Sequence, residues 1–139
     1  MNEDFEGMRV PYGLAVHDEE EEAAVLEIIR NHKTIMGEKV KQFEKEIATL
    51  FGKDLGIMVN SGSSANLAAI TALCSKNLDG HMRPGGEVIT PAVTFPTTLS
   101  PILQNGLVPV FVDCELGTYD VDVDAVAAAV SSKTQALVI

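Results

Sequence analysis

Three short stretches carry residue types that could do chemistry, and each follows an apolar run. The first is Val59-Asn60-Ser61-Gly62-Ser63-Ser64-Ala65-Asn66. It reads as a polar turn passing into a helix. Gly62 permits a tight turn and close backbone approach, while Ser63 and Ser64 bring hydroxyls and amides to the first helical turn. Unpaired N–H groups and the positive end of the helix dipole suit such a place to an anion, most often a phosphate. A serine-rich helix cap with no ligand is the plainer alternative. The pattern is not a P-loop, since the lysine of GxxxxGK[ST] is missing. It is neither G-x-G-x-x-G nor the G-x-S-x-G nucleophile elbow.

The second stretch is Thr90-Pro91-Ala92-Val93-Thr94-Phe95-Pro96-Thr97-Thr98. Phe95 offers a flat apolar face that could lie over a ring, although a phenylalanine after a strand commonly serves the core. The third is Phe111-Val112-Asp113, an acid at a strand end, where a capping or turn role is the simpler reading. Cys74 and Cys114 form no CxxC pair. His17, His32 and His81 show no metal-ligand spacing with each other or with the cysteines, so no metal site is expected. Two isolated cysteines fit a reduced, cytoplasmic setting.

The elements that must position these stretches follow from periodicity. A helix is expected over 18–31, capped by Asp18, with Val25, Leu26, Ile28 and Ile29 as its apolar stripe. A second runs from 38 to 51, with Val40, Phe43, Ile47, Leu50 and Phe51 at helical spacing and Gly52 as its stop. Residues 56–59 read as a buried strand and 64–75 as an Ala-rich, largely buried helix. A Gly/Pro loop covers 77–86, and 87–90 is a strand. Residues 95–105 can form a helix with Pro96 in its first turn. Residues 108–112 read as a strand buried on both faces. A helix over 121–130, opened by Asp120 or Asp122, leads to a strand beginning at 136. Strands alternating with helices imply an α/β fold with a parallel sheet, which binds ligands at the carboxyl ends of its strands.

Length and charge narrow the classes. The 139 residues fit one domain, 46% of them apolar and few aromatic. The net charge of −10 is uneven. Residues 1–22 hold eight acids and one base, and residues 23–139 hold twelve acids and nine bases. The excess is mostly the run Asp18 to Glu22, which reads as a solvated first helical turn suited to the helix dipole. With no basic patch, nucleic acid and anionic membranes are poor partners. No apolar stretch approaches the roughly 18–20 residues of a membrane span, and no signal-peptide h-region is present.

Taken in order, the segments resemble the N-terminal part of the DegT/DnrJ/StrS sugar aminotransferases. These are pyridoxal-phosphate (PLP) enzymes of the aspartate aminotransferase fold. The resemblance rests on the acidic first helix, Gly37-Glu38-Lys39-Val40 leading to Phe43-Glu44, and Val59 to Asn66. It continues through Pro84-Gly85-Gly86-Glu87-Val88-Ile89-Thr90-Pro91, Thr94-Phe95-Pro96-Thr97-Thr98, Gly106 to Asp113, and Lys133-Thr134-Gln135-Ala136-Leu137-Val138-Ile139. It implies a three-layer α/β/α domain with a mostly parallel sheet, the N-terminal half of the large domain of a fold-type I PLP enzyme. Residues 1–37 would be a helical arm and 38–139 the first part of the PLP-binding domain. The family holds the PLP phosphate at the turn matched by Gly62, Ser63 and Ser64, and places an aromatic ring over the pyridine at Phe95. The segment Phe95-Pro96-Thr97-Thr98, with Asn60-Ser61-Gly62-Ser63-Ser64, resembles most the branch that includes the CDP-sugar 3-dehydratases.

The same resemblance implies a keto-sugar nucleotide substrate, an amino-acid donor, and a homodimer with its sites at the subunit interface. The family's lysine that joins PLP, replaced by histidine in the dehydratase branch, lies beyond Ile139. So does the acid that pairs with the pyridinium. None of Lys39, Lys41, Lys45, Lys53, Lys76 or Lys133 matches the first, and Asp113 does not match the second. These residues are therefore expected to be part of a larger sheet, and by themselves to be inactive, marginally stable, and able to bind PLP weakly or not at all. In such a sheet the 56–59 strand is separated from the others present here, so it is expected to lack its native neighbour. Two other readings remain open: a non-catalytic module that holds a phosphate-bearing ligand, and an α/β fragment with no ligand.

Overall fold

A computed structural model describes residue 13 and residues 15–139. The part of the expected arm at residues 1–12 and 14 lies outside the described residues. Contacts divide the chain after Gly56.

The first unit holds two helices. Helix α1 spans Glu19–Arg30 and α2 spans Glu38–Leu50. Asp18 caps α1 as the sequence implied: its carboxylate accepts from the Glu20 amide at 2.9 Å, and its own amide donates to Glu21 Oε2 at 2.9 Å. This reciprocal capping box satisfies donors that a helix start leaves open. Helix α2 ends where Gly52 takes a φ of 61°. The Gly52 amide donates to Thr49 O at 3.1 Å and the Lys53 amide to Ala48 O at 2.8 Å, a Schellman closure that glycine permits. Gly56 is fixed by close approach, since a Cβ there would stand 2.5 Å from the Glu44 carbonyl oxygen.

The second unit begins at Ile57 and carries the sheet. Its elements are α3 (Gly62–Leu73), β1 (Glu87–Pro91), α4 (Pro96–Gln104), β2 (Val108–Val112), α5 (Val123–Ala129) and β3 (Thr134–Leu137). The strands are parallel in the order β2-β1-β3, with Ile89 opposite Val110 on one side and Leu137 on the other. The central strand is the best buried. Val88, Ile89 and Thr90 are inaccessible or nearly so. Ile70 of α3, Met82, Val88, Ile102 of α4 and Leu107 form the core that seats α3 and α4 on β1. Pro96 stands in the first turn of α4, where its missing N–H costs nothing. Asp122, not Asp120, caps α5 by accepting from the Ala125 amide at 3.0 Å.

Three expectations are corrected. Residues 56–59 join no ladder among the described residues, because an apolar run becomes a strand only with a neighbour to pair its backbone. Strand β2 is not buried on both faces: it is at one edge of the three-stranded sheet, with Val108 and Phe111 exposed. Helix α3 is apolar nearly all round, yet only Ile70 is buried, since it packs along a single side.

Candidate functional site

The site is built from the bottom of α3 upward. Ser61 leaves the extended backbone and caps the helix, its Oγ accepting from the Ser64 amide at 3.2 Å and lying 3.3 Å from Ser64 Oγ. The Ala65 amide reaches Ser61 O at 3.0 Å. Among the described residues nothing accepts from the amides of Gly62 and Ser63. These are the donors a helix start leaves free. The first turn of α3 contains no acid. A Cβ built on Gly62 would meet no atom within 4 Å, so open space lies beside this turn. Two free amides, the exposed hydroxyl of Ser63, the helix dipole and that open space fit a phosphate group. Ser61 as the capping hydroxyl was legible as the first serine of an S-x-x-S spacing ending at Ser64, but the sequence reading assigned hydroxyls only to Ser63 and Ser64.

Phe95 stands at the start of α4, its carbonyl accepting from the Thr98 amide at 2.9 Å. Its side chain is 63% exposed, so it is not a core residue. The starts of α3 and α4 are brought to one end of the unit. Asn66 Nδ2 donates to Thr97 O at 3.3 Å near the two starts, and Asn105 Nδ2 donates to Thr71 Oγ1 at 3.2 Å near the two ends. The helices therefore run side by side in the same sense. Helix α4 follows directly from the carboxyl end of β1, the edge at which parallel sheets bind ligands. Asp113 closes β2 and takes a local role: its Oδ1 accepts from the Cys114 amide at 2.8 Å, and its carbonyl accepts from the Asp122 amide at 3.1 Å. At the opposite end of α3, burial pushes the Cys74 thiol up from its ordinary range. No described helix is long and apolar enough to cross a membrane.

Parallel strands with the starts of α3 and α4 at one end define an α/β unit. The fold matches part of a fold-type I PLP enzyme. Over residues 15–139 the chain belongs to the DegT/DnrJ/EryC1/StrS aminotransferase family. It is 48% identical over 126 residues to dTDP-4-dehydro-2,6-dideoxy-D-glucose 3-dehydratase of Saccharopolyspora spinosa, covering 90% of this chain and 27% of that protein. Among solved structures it superposes with a TM-score of 0.83 and 36% identity on the Escherichia coli GDP-4-keto-6-deoxy-D-mannose-3-dehydratase with bound hydrated PLP, covering 93% of this chain and 33% of that one. It also superposes with a TM-score of 0.78 and 26% identity on the PLP form of a putative sugar aminotransferase from Streptococcus pneumoniae, covering 94% and 31%. The chain thus spans about a third or less of the proteins it matches.

Proposed function

We propose that these residues form the phosphate-holding part of a PLP-dependent enzyme that acts on a keto-sugar nucleotide. Gly62, Ser63 and Ser64 hold the cofactor phosphate, and Phe95 covers the face of its ring. The observation that carries this is the acid-free start of α3 with two unpaired amides and open space beside Gly62. When bound, PLP supplies an electron sink for reactions at a carbon next to nitrogen. The chain's own residues bind and orient it. The amides and hydroxyls of α3 fix the phosphate, and a flat apolar ring at Phe95 fixes the plane. The reaction is amino transfer from an amino-acid donor to the sugar, carried out by a homodimer. A second reading, 3-dehydration of the sugar nucleotide, is supported by the 48% identity to a 3-dehydratase.

The test follows the amide resonances of the chain by NMR during titration with PLP, pyridoxal and inorganic phosphate. PLP and phosphate should move the signals of Gly62, Ser63 and Ser64, and pyridoxal should not. Replacing Ser63 and Ser64 together by alanine should weaken both by about tenfold, the loss of charge-assisted hydrogen bonds. Unchanged affinity in that double variant would remove the phosphate assignment.

A further inference from the structure

Helix α4 contains a proline whose position has a consequence for the site. Pro101 lies four residues after Thr97, inside the helix. A helical carbonyl accepts from the amide four residues on, and proline has none. Its ring also pushes against that same carbonyl. Thr97 O is therefore left without its intrahelical donor. The amide group of Asn66, one turn into α3, donates to this oxygen at 3.3 Å across a separation of 31 residues. No other described side chain donates to it. Pro101 itself is buried and cannot turn away.

Thr97 is two residues from Phe95, and Asn66 is two residues from Ser64. We infer that Asn66 is a positioning residue. By filling the carbonyl that Pro101 leaves open, it locks the start of α4, with the Phe95 ring, to the turn proposed to hold the cofactor phosphate. The inference rests on the reading of Gly62–Ser64 and Phe95 given above. It assigns to Asn66 no contact with the cofactor. The tie sets the spacing between a phosphate-holding turn and a ring-covering side chain, so it concerns ligands that touch both. A ligand that is only a phosphate touches one.

The experiment compares PLP with inorganic phosphate on the chain and on three variants, Asn66→Ala, Pro101→Ala and the two together. In Asn66→Ala, PLP should bind about fivefold more weakly, the size of one hydrogen bond, while phosphate affinity is unchanged. In Pro101→Ala, the new backbone amide can donate to Thr97 O, so adding Asn66→Ala should have little further effect on PLP or on the midpoint of thermal unfolding. This coupling distinguishes the tie from a general loss of stability, and the thermal midpoints report it without any ligand. Equal losses for PLP and phosphate in Asn66→Ala would overturn the inference. So would a PLP loss from Asn66→Ala that persists undiminished in the Pro101→Ala background. If PLP moves no amide signals of Gly62–Ser64 in the unaltered chain, the reading of that turn fails first and the positioning role falls with it.

Discussion

The starts of α1 and α3 use the same backbone chemistry to opposite ends. Each helix has 12 residues and an extended N-cap residue whose side chain accepts from the first turn. At α1 the open donors are met from within: Asp18 and Glu21 close a reciprocal box, and Glu19, Glu20, Glu21 and Glu22 surround the positive end of the dipole with negative charge. An incoming anion would meet repulsion there. At α3 the cap is the neutral Ser61, the first turn carries no acid, and the amides of Gly62 and Ser63 are unpaired among the described residues. A helix start completed by its own acids has only local stability to gain. One completed by neutral hydroxyls retains a field that a ligand can use.

The largest effect should come from making α3 resemble α1. Ser63→Asp places a carboxylate where the phosphate is proposed to sit. Two like charges about 4 Å apart near a protein surface repel by roughly 4 kcal/mol. Loss of PLP and phosphate binding by at least about 100-fold is expected in the NMR titration. The helix itself should be unharmed, since an acid in the first turn favours it by about 0.3–1 kcal/mol. Retained binding would show that the anion sits elsewhere. Next in size is Ser61→Ala, which removes the cap but leaves the Gly62 and Ser63 amides in place. Thermal unfolding should report about 1 kcal/mol of lost stability, with PLP affinity falling only a few-fold as the turn frays. A loss of binding as large as that of Ser63→Asp would mean that the Ser61 hydroxyl itself touches the ligand.

Much of this contrast was legible in the sequence, because helix ends are written in local chemistry. Asp18 before four glutamates, Gly52 after α2 and Pro96 opening α4 each fix a boundary by their own properties, whereas Asp120 and Asp122 are equal candidates for opening α5 until the Ala125 amide is seen to donate to Asp122. The motif from Asn60 to Ser64 was likewise visible, and the family match over residues 15–139 agrees with the resemblance it supported. What local reading could not give was pairing. Residues 56–59 have strand-like composition, yet a strand exists only with a partner at hydrogen-bonding distance, and composition does not name that partner. For the same reason the continuous apolar run of β2 reads as an interior strand although β2 lies at the edge of the three-stranded sheet with Val108 and Phe111 exposed. The tie from Asn66 to Thr97 is a long-range feature of a third kind. Pro101 announces an unfilled carbonyl at Thr97, but only the packing of α3 beside α4 shows which residue fills it.

The smallest expected effect tests the self-sufficiency of α1. Asp18→Ala removes the acceptor for the Glu20 amide and half of the capping box, leaving Glu21 with its bond to the residue-18 amide. The cost should be about 1 kcal/mol, confined to the first turn of α1, because a helix start is stabilised by its nearest donors and acceptors. Amide hydrogen exchange at Glu20 and Glu21 should quicken by about fivefold, the factor that corresponds to that energy. Asp18→Asn keeps an accepting oxygen and removes the charge, so it should cost only a few tenths of a kcal/mol. Neither change should alter the response of Gly62–Ser64 to phosphate. The four glutamates still present would keep α1 closed to anions, and no phosphate-induced shift is expected at its own amides. If such shifts appeared in Asp18→Ala, the single cap residue, and not the surrounding run of acids, would be what separates a closed helix start from an open one.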